Sequence, residues 1–449
     1  MHRFTFHLCV LAAALTAWTS TARAATSAEL VDLQMRSQPV RLVGVADGYV
    51  SFFDEARNLR QRSLDRLLAI RMVNDPSTDD SASGAEAKPT PADSTRRQEQ
   101  LQRHIADFEA VLAEQERTAA ANADAGPDAD LDASPSGFHP MRAAAYLGDG
   151  QILRGHLVDV INDGQTLVWL NAKVGRLNVP IDAIRLLDFG ASAEGEGVVL
   201  PLGDSDGVVF RNGDRLDGFV QGFDAAGVNF TPASSNQPMT LPWAECQRVE
   251  LGTGWKLPEH GDYLLRLADG SRVLCASASF MQEQWLFTPV LAAAPSPACE
   301  LPAKEVEQLD IYAGGRVMAE LWQLPLERGA SQAFGLTTPV QADAASLRMQ
   351  APLRWSLSLP AGARLLWMRG EVDANAAGDA AKWIDFDWRV SVDREPGSAV
   401  TRHLSAAEPQ AEIRLPLTTP AVQIELTPGK YGPLMDRLIV TQGVVVIER

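Results

Sequence analysis

A fixed spacing of apolar positions behind a proline recurs three times along the chain. Each copy reads Pro-x₃-Φ-x₂-Φ-x-Φ, where Φ is apolar, and lies about 30 residues after a glycine in a turn-like context. The three copies are Pro180 with Ile184, Leu187 and Phe189, Pro242 with Cys246, Val249 and Leu251, and Pro302 with Val306, Leu309 and Ile311, and their glycines are Gly150, Gly213 and Gly270. A register that returns at a fixed period indicates internal duplication of a whole module.

The repeat predicts small β modules at 140–190, 203–252 and 260–312, and a more divergent one at 25–72, where Ser63 stands in the proline position. Within a module, alternating apolar and polar residues are interrupted by glycine turns, which predicts antiparallel hairpins and about five short strands. Closing such strands into a small barrel or roll removes the exposed edges that short sheets otherwise present.

The repeat ends before residue 317, and the remaining 317–449 shows a different pattern. Strict alternation of apolar and polar residues occurs in Leu353 to Leu359, Ile384 to Val390 and Ala421 to Leu426. A period of two is typical of half-buried strands, so this stretch predicts a separate β-sandwich. The predicted fold class is therefore all-β, with tandem small barrels followed by a sandwich.

An acidic insert at 73–139 separates the first module from the second and carries 14 acidic and 5 basic side chains. Inside it, a capping box at Thr95 and an apolar stripe predict one helix at 95–118. The stripe consists of Leu101, Ile105, Phe108 and Leu112. Two interpretations stay open: the stripe packs on a neighbouring module or a second copy of itself, or the helix is a solvated spacer.

Residues 1–24 read as a secretory signal, with basic residues before an apolar run and small residues at the end. We therefore expect export to the periplasm or the extracellular space, and no later stretch is long and apolar enough to span a membrane. Removing Arg3 and Arg23 with this segment changes the formal charge from −17 to −19. This charge disfavours nucleic acid as a partner, because affinity for phosphates comes from clustered Lys and Arg.

Three cysteines remain after the signal segment. Cys275 and Cys299 both fall in the module at 260–312, which makes them the candidate disulfide, whereas Cys246 occupies an apolar position of the repeat. Two buried thiols would give the same sequence pattern.

The sequence contains partial matches to catalytic and metal-binding motifs, and each lacks a required feature. Gly203 to Gly207 matches G-x-S-x-G, but a strand pattern follows it where a nucleophile elbow requires a helix. Asp128, Asp130 and Asp132 alternate as in a calcium loop, but Ala133 and His139 replace the required Gly and Glu. The histidines lack the spacing of a zinc site. We therefore predict no enzyme activity, no metal and no cofactor, and the chain leaves open whether calcium is bound.

Candidate ligand-binding residues lie in the C-terminal stretch. Trp367, Trp383 and Tyr431 fall near predicted strand ends or loops, where exposed rings form a stacking platform, although ordinary packing is the alternative. Asp385 and Asp387 point to one face of a strand, which fits either a cation or paired-carboxylate site or a solvent-facing strand edge. Trp355 and Trp388 alternate with polar residues inside strands and are predicted to be core residues.

Four segments of 317–449 occur in a recognisable order: a strand around Trp355, a strand from Phe386, a strand Ile413 to Leu417, and a loop Gly429 to Asp436 before a closing strand. In this order they resemble the novel putative carbohydrate-binding module (NPCBM) family, jelly-roll domains of exported bacterial proteins. The resemblance covers about a quarter of the chain, and the doubled Asp-Trp pattern usual in the family is missing. It implies a jelly-roll domain that binds carbohydrate.

The segment Asn212 to Asp224, which carries Gly213 and Gly218, is similar to the first motif of Sm-like barrels. A sharply bent strand needs glycine for steric reasons, so geometry in place of common ancestry is an alternative explanation of this similarity. The acidic charge opposes RNA binding.

Taken together, these patterns predict an exported, non-catalytic protein of several β modules whose C-terminal sandwich binds carbohydrate. The alternative is a structural or protein-interaction scaffold of the cell envelope. The expected partner is thus a glycan or an envelope protein, and the oligomeric state stays open.

Overall fold

The computed structural model describes residues 26–73, 140–190, 205–235, 237–291, 294–295, 298–312, 314–327, 329–342, 346–373, 382–393, 395–433 and 435–449. Regular structure in these ranges is strand or short 3₁₀ helix, which confirms the all-β fold class. Within the same ranges no helix has the length and apolar character needed to cross a bilayer. The predicted signal segment, the helix at 95–118 and the Asp128 to Asp132 triplet lie outside the described residues.

Four units before residue 313 share one strand order. In each unit the first four long strands form an antiparallel meander, and the last strand returns to pair with the first. The first unit contains β1 (Thr26–Asp32), β2 (Ser37–Ala46), β3 (Tyr49–Phe53), β4 (Leu59–Ser63) and β5 (Leu67–Met72), and the second contains β6 (Met141–Leu147), β7 (Ile152–Ile161), β8 (Thr166–Asn171), β9 (Gly175–Pro180) and β10 (Ile184–Asp188).

The remaining two units repeat this order. The third contains β11 (Asp206–Phe210), β12 (Arg215–Phe223), β13 (Gly227–Pro232), β14 (Met239–Pro242) and β15 (Cys246–Glu250), and the fourth contains β16 (Tyr263–Leu267), β17 (Arg272–Met281), β18 (Gln284–Leu291), the two-residue β19 (Ala294–Pro295), β20 (Cys299–Pro302) and β21 (Val306–Ile311). The structure thus gives the repeat a common topology, while the module boundaries set from the sequence stay a prediction.

The proline register marks the turn into the closing strand of each unit. After Pro180 and Pro302, and after Ser63 in the first unit, one 3₁₀ turn leads into that strand. After Pro242 a turn of the same length leads into it, closed by a hydrogen bond from the backbone N–H of Cys246 to the carbonyl of Trp243. The first apolar residue of each closing strand is buried: Leu67, Ile184, Cys246 and Val306. The spacing between the proline and the apolar residues therefore corresponds to one local geometry. Proline fixes φ at the strand end, and the apolar side chains that follow it enter the core.

In every unit the pairing register between the second and third strands shifts at one point, as at a β-bulge. Such bulges bend a strand and allow a short sheet to curl. In the second and third units a glycine lies beside this bend: a Cβ on Gly155 or Gly218 would lie 2.2 Å from a carbonyl oxygen of the facing strand. The repeated glycines are therefore required by close backbone approach.

The units also pair with one another through their closing strands. β10 pairs with β15, which joins the second and third units, and β5 pairs with β21, which joins the first and fourth. One hydrophobic cluster contains buried side chains from all four units. The four small units therefore share a core, as expected for modules too small to be stable alone.

The C-terminal stretch is a sandwich of two antiparallel sheets. One sheet has the order β25-β26-β33-β28-β31, with β22 also paired to β33, and the other has the order β27-β32-β29-β30. The strands are β22 (Arg316–Glu320), β25 (Gln341–Ala342), β26 (Leu347–Gln350), β27 (Leu353–Ser358), β28 (Ala363–Val372), β29 (Asp385–Val392), β30 (Val400–Ser405), β31 (Gln410–Pro416), β32 (Ala421–Pro428) and β33 (Arg437–Glu448), and a separate hairpin is formed by β23 (Ala330–Ala333) and β24 (Leu336–Pro339).

The two sheets enclose a core that contains Trp355 and Trp388, so both tryptophans are core residues as predicted. A second cluster joins the sandwich to the repeat units. Trp367 and Val446 of the sandwich pack there with Leu68 of the first unit and Leu264 of the fourth. The repeats thus cover the part of the outer face of the first sheet that lies around Trp367 and Val446.

Candidate functional site

Two aromatic side chains lie together and exposed at one end of the sandwich. Trp383 precedes β29, and Tyr431 lies in the loop after β32; their exposed fractions are 46% and 49%. The ring centroids are 4.9 Å apart at an interplanar angle of 69°. β29 and β32 pair with Phe386 opposite Pro428, so the start of one strand and the end of the other meet at the same sheet end. The sheet register therefore brings the two predicted rings into contact.

A lysine accompanies each ring. The Lys382 ammonium lies 5.4 Å from the centroid of the Trp383 ring, and the Lys430 ammonium lies 4.7 Å from that of Tyr431. Both distances fall in the range in which a cation is attracted to an aromatic face. Sequence reasoning did not identify these lysines, although a lysine directly before an aromatic residue occurs at both positions.

Asp385 connects the aromatic pair to the sheet. Its carboxylate accepts a hydrogen bond from the backbone N–H of Lys430 at 3.1 Å, and its carbonyl accepts one from the N–H of Gly429 at 2.5 Å. A Cβ on Gly429 would lie 2.1 Å from that carbonyl oxygen, so only glycine fits. These contacts hold the loop that carries Tyr431 against the start of β29.

His403 links the two aspartates of β29. Its ring nitrogens lie 3.3 Å from Asp385 Oδ1 and 3.0 Å from Asp387 Oδ1, and His403 is the direct cross-strand neighbour of Asp387. Asp385 and Asp387 thus share one face of the sheet, as the alternation in the sequence predicted. His403 was not predicted from the sequence, because its position depends on which strand pairs with β29.

Asp436 lies beneath this group and is completely buried. Its Oδ1 accepts the backbone N–H of Asp385 at 3.1 Å, whereas its Oδ2 has no hydrogen-bond partner among the described residues. Burial raises the pKa of Asp436, and the neighbouring Asp385 carboxylate adds to the increase. Within the described part of the chain, no three His, Cys, Asp or Glu side chains are arranged to hold a metal ion.

Trp367 is not part of the exposed platform, and its prediction as a candidate ligand-binding residue is corrected. It is 5% exposed, its indole Nε1 donates to Glu412 Oε1 at 2.7 Å, and the Arg71 guanidinium lies 5.8 Å from its ring. At Trp367, β28 is covered by the sandwich core on one side and by the repeat units on the other, so both faces of the strand are buried at this position.

No disulfide joins Cys275 and Cys299, so the candidate bridge is absent. The residue opposite Cys275 on β18 is Pro289, and the residue opposite Cys299 on β18 is Phe287. The two cysteines therefore lie on the two strands that flank β18, separated by two strand spacings, about 9.5 Å, across the sheet and offset by two residues along it. A disulfide requires a much shorter Cα separation. Burial raises the pKa of both thiols.

The G-x-S-x-G match has no catalytic geometry in the part that the structure describes. Ser205 leads directly into β11, and the described part of the motif continues as a strand. A nucleophile elbow instead requires a strand before the serine and a helix after it.

No protein-family model matches the chain, and no curated protein matches it. Among solved structures, the chain is similar to the CBM51-2 and INT domains of ZmpB from Clostridium perfringens, with 10% identity, 38% of this chain and 40% of that chain covered, and a TM-score of 0.20. It is also similar to CBM51 from Clostridium perfringens GH95 in complex with methyl-galactose, with 11% identity, coverages of 29% and 87%, and a TM-score of 0.20.

A third similar structure is SGBP-B from a complex xyloglucan utilization locus in Bacteroides uniformis, with 8% identity, coverages of 69% and 99%, and a TM-score of 0.16. The chain spans two fifths of the length of the ZmpB structure. Similarity at this level assigns neither a fold family nor a ligand to the chain, and the NPCBM and Sm-like resemblances stay unconfirmed.

Proposed function

We propose that the C-terminal sandwich binds carbohydrate at the Trp383–Tyr431 pair and that the protein is exported and has no catalytic activity. The observation that carries the proposal is the pairing of two half-exposed rings in a polar surrounding. Keeping two large rings in water forgoes hydrophobic stabilisation, so a contiguous pair of this kind is a common feature of a recognition surface.

Polar groups beside the rings suit a hydroxyl-rich ligand. Asp387 and His403 are about half exposed, and Lys382 and Lys430 offer ammonium donors next to the ring faces. Aromatic rings contact the apolar C–H faces of a sugar, while carboxylate, imidazole and ammonium groups exchange hydrogen bonds with its hydroxyls. A ligand that presents both kinds of surface within one ring matches the arrangement.

Retardation of the full-length protein in native gels that contain soluble polysaccharides tests the proposal. Trp383→Ala and Tyr431→Ala are each expected to weaken binding by about tenfold or more, because each removes one stacking surface. Tyr49→Ala is the matched control, since Tyr49 is 51% exposed but lies on the first unit, far along the chain from the sandwich. Unchanged retardation of both variants, or no retardation of the wild type by any polysaccharide, contradicts the proposal.

A second candidate function is a protein-interaction scaffold, and the β23–β24 hairpin favours it. Phe334 and Leu336 at its tip are 72% and 70% exposed, and no charged residue occurs between Gly329 and Ala342. Such an apolar tip is typical of a protein contact. Crosslinking with envelope extract tests this function, because Phe334→Asp would abolish a specific crosslinked band that Trp383→Ala leaves intact.

A further inference from the structure

A polar cleft of about 700 Å³ runs along the side of the sandwich between β30 and β31. Its size falls in the range of ordinary ligand sites. The polar residues that line it are Thr401, Arg402, His403, Glu408, Gln410, Glu412 and Arg414. None of these residues was singled out by the sequence, and none belongs to the aromatic pair.

The topology explains why a cleft lies here. β30 and β31 follow each other in the chain and are joined at their ends by a backbone hydrogen bond from Ser405 to Glu408. β30 then pairs with β29 in one sheet, whereas β31 pairs with β28 in the other. The two strands therefore diverge from a common hairpin and leave the open side of the sandwich between them.

A chain of contacts through His403 links the cleft to the aromatic pair. This side chain lines the cleft and also contacts Asp385 at 3.3 Å. The carboxylate of Asp385 in turn accepts the backbone N–H of Lys430, which directly precedes Tyr431. A ligand chain that contacts the rings can thus continue past His403 into the cleft.

The cleft presents fixed donors and acceptors. Arg402 donates from Nε to the Glu412 carbonyl at 2.9 Å and from Nη1 to the Thr401 carbonyl at 3.1 Å. Glu412 is held by Arg414 and by the indole N–H of Trp367. Because these bonds use only part of each guanidinium, further N–H donors stay available in a fixed orientation.

The charges of the cleft indicate an uncharged ligand. Arg402 and Arg414 are offset by Glu408 and Glu412, so the four side chains have no net formal charge. The polar lining also disfavours an apolar ligand, which would leave these groups without hydrogen bonds. From Gln410 to Arg414 the strand extends about 13 Å, which is longer than a single pyranose ring.

We propose that this cleft is a second part of the carbohydrate site and holds further sugar residues of an uncharged polysaccharide, one residue of which contacts the Trp383–Tyr431 pair. The inference rests on the proposed function. It assigns the ligand class as a neutral glycan chain of several residues, in contrast to a single terminal sugar or an acidic polymer.

The test uses the full-length protein and a gel panel of xyloglucan, β-1,4-galactan, arabinoxylan and pullulan, with polygalacturonan as the acidic probe. Titration calorimetry then measures affinity for oligosaccharides of graded length prepared from the retarding polysaccharide. The wild type is expected to gain about tenfold in affinity between a disaccharide and a hexasaccharide, with little change between low and high salt. Arg402→Ala and Arg414→Ala are expected to remove this gain and leave the affinity for the disaccharide unchanged.

Arg354→Ala is the matched control, because Arg354 is an exposed, ion-paired arginine of the same sandwich outside the cleft. Urea unfolding of each variant separates lost binding from lost folding, and Gln410→Ala serves if either arginine variant fails to fold. Equal affinity for short and long chains, unchanged length dependence in the cleft variants, or retardation by polygalacturonan alone would overturn the inference. In those cases Trp383→Ala still weakens binding, whereas failure of the proposed function shows as no retardation at all or as no effect of Trp383→Ala.

Discussion

Glu320 is the buried acid that joins the fourth unit to the sandwich, and its neutralisation tests how this junction is stabilised. It lies on β22, which pairs with β33 of the sandwich, and its carboxylate pairs with Arg266 and with Arg272 of the fourth unit, the latter at 2.6 Å. Its side chain is 7% exposed, and it also accepts the indole N–H of Trp322 at 2.7 Å. The substitution Glu320→Gln keeps the shape of the side chain and removes its charge.

The expected loss of stability depends on which ion pairs each arginine retains after the substitution. Arg266 retains its 2.8 Å ion pair with Asp310, whereas the ion pairs of Arg272 within the described residues involve Glu320 alone. Removing one partner of a buried pair costs about 3–5 kcal/mol, because the other charge is left uncompensated. Since one of the two arginines keeps a partner, we expect a loss near the lower limit, about 3 kcal/mol in the free energy of unfolding.

Urea unfolding followed by tryptophan fluorescence measures this loss. The control is Glu448→Gln, which neutralises the exposed pair between Glu448 and Arg364, and its expected cost is below about 1 kcal/mol. A Glu320→Gln protein that unfolds within about 1 kcal/mol of the wild type would refute the reasoning, because the junction would then not depend on the buried charge.

The stabilisation that Glu320 provides is also expected to depend on pH. Burial by itself would raise the pKa of Glu320, but Arg272 and Arg266 outweigh burial and hold the pKa below its ordinary value of 4.5. A carboxyl group with a lowered pKa stabilises the fold above its unfolded pKa, and this stabilisation is lost as the pH falls through the folded pKa. The difference between the wild type and Glu320→Gln should therefore shrink below about pH 4.

Three further substitutions or reactions test the fold. Gly218→Ala should lower the free energy of unfolding by at least about 1–3 kcal/mol, because the new Cβ would lie 2.2 Å from a carbonyl oxygen, while Gly254→Ala, with no atom within 4 Å of its Cβ, should be nearly neutral in the same urea titration. Asp436→Asn should raise the melting temperature at pH 7 and not at pH 3, because burial raises the pKa of Asp436 and the stability linked to its protonated form is lost as the pH rises; a lower melting temperature at pH 7 would contradict this. Burial raises the pKa of Cys246 to about 11, so a thiol reagent at pH 8 should label the less buried Cys299 first, and mass spectrometry that finds Cys246 labelled first would contradict the assignment of a buried thiol.

The repeated topology was predictable because its signals are local. A proline that ends one strand and the apolar residues four and seven positions later belong to a single turn and the strand that follows it. Leu187, Val249 and Leu309, each seven residues after its proline, are all fully buried. In the first unit, where Ser63 replaces the proline, the residue at the same spacing is Ile70, and it is buried too. The spacing of apolar residues is therefore present even where the proline is absent, because these side chains fill the core whichever residue occupies the turn.

The pairing between units was not predictable from these signals. β5 pairs with β21 and β10 pairs with β15, so the first unit joins the fourth and the second joins the third. Every closing strand carries the same kind of apolar pattern, and this pattern does not distinguish one partner strand from another. The choice depends on how the whole chain packs, which a local period does not record.

Trp367 shows where the same reasoning was wrong. Its neighbours Leu366 and Met368 are buried as well, and together they form a continuous apolar run in place of an alternation. Such a run is typical of a strand covered on both faces. The sequence therefore contained the signal that Trp367 is internal, whereas Trp383 and Tyr431 lie outside the strands and next to lysines.

The burial of Trp367 also bears on access to the candidate site. The sheet that contains β28 and β33 is the one that packs on the repeat units, through Trp367 and Val446. The aromatic pair is carried by β29 and β32 of the opposite sheet, and the polar cleft opens between the edges of the two sheets. Under the proposed function, a long polymer can reach both parts of the site without release of the repeats, because Trp383 and Tyr431 are about half exposed and Arg414 and Glu412 of the cleft are each 38% exposed. In this proposal the repeats are the support on which the binding surface is presented, and ligand binding does not require the two parts to separate.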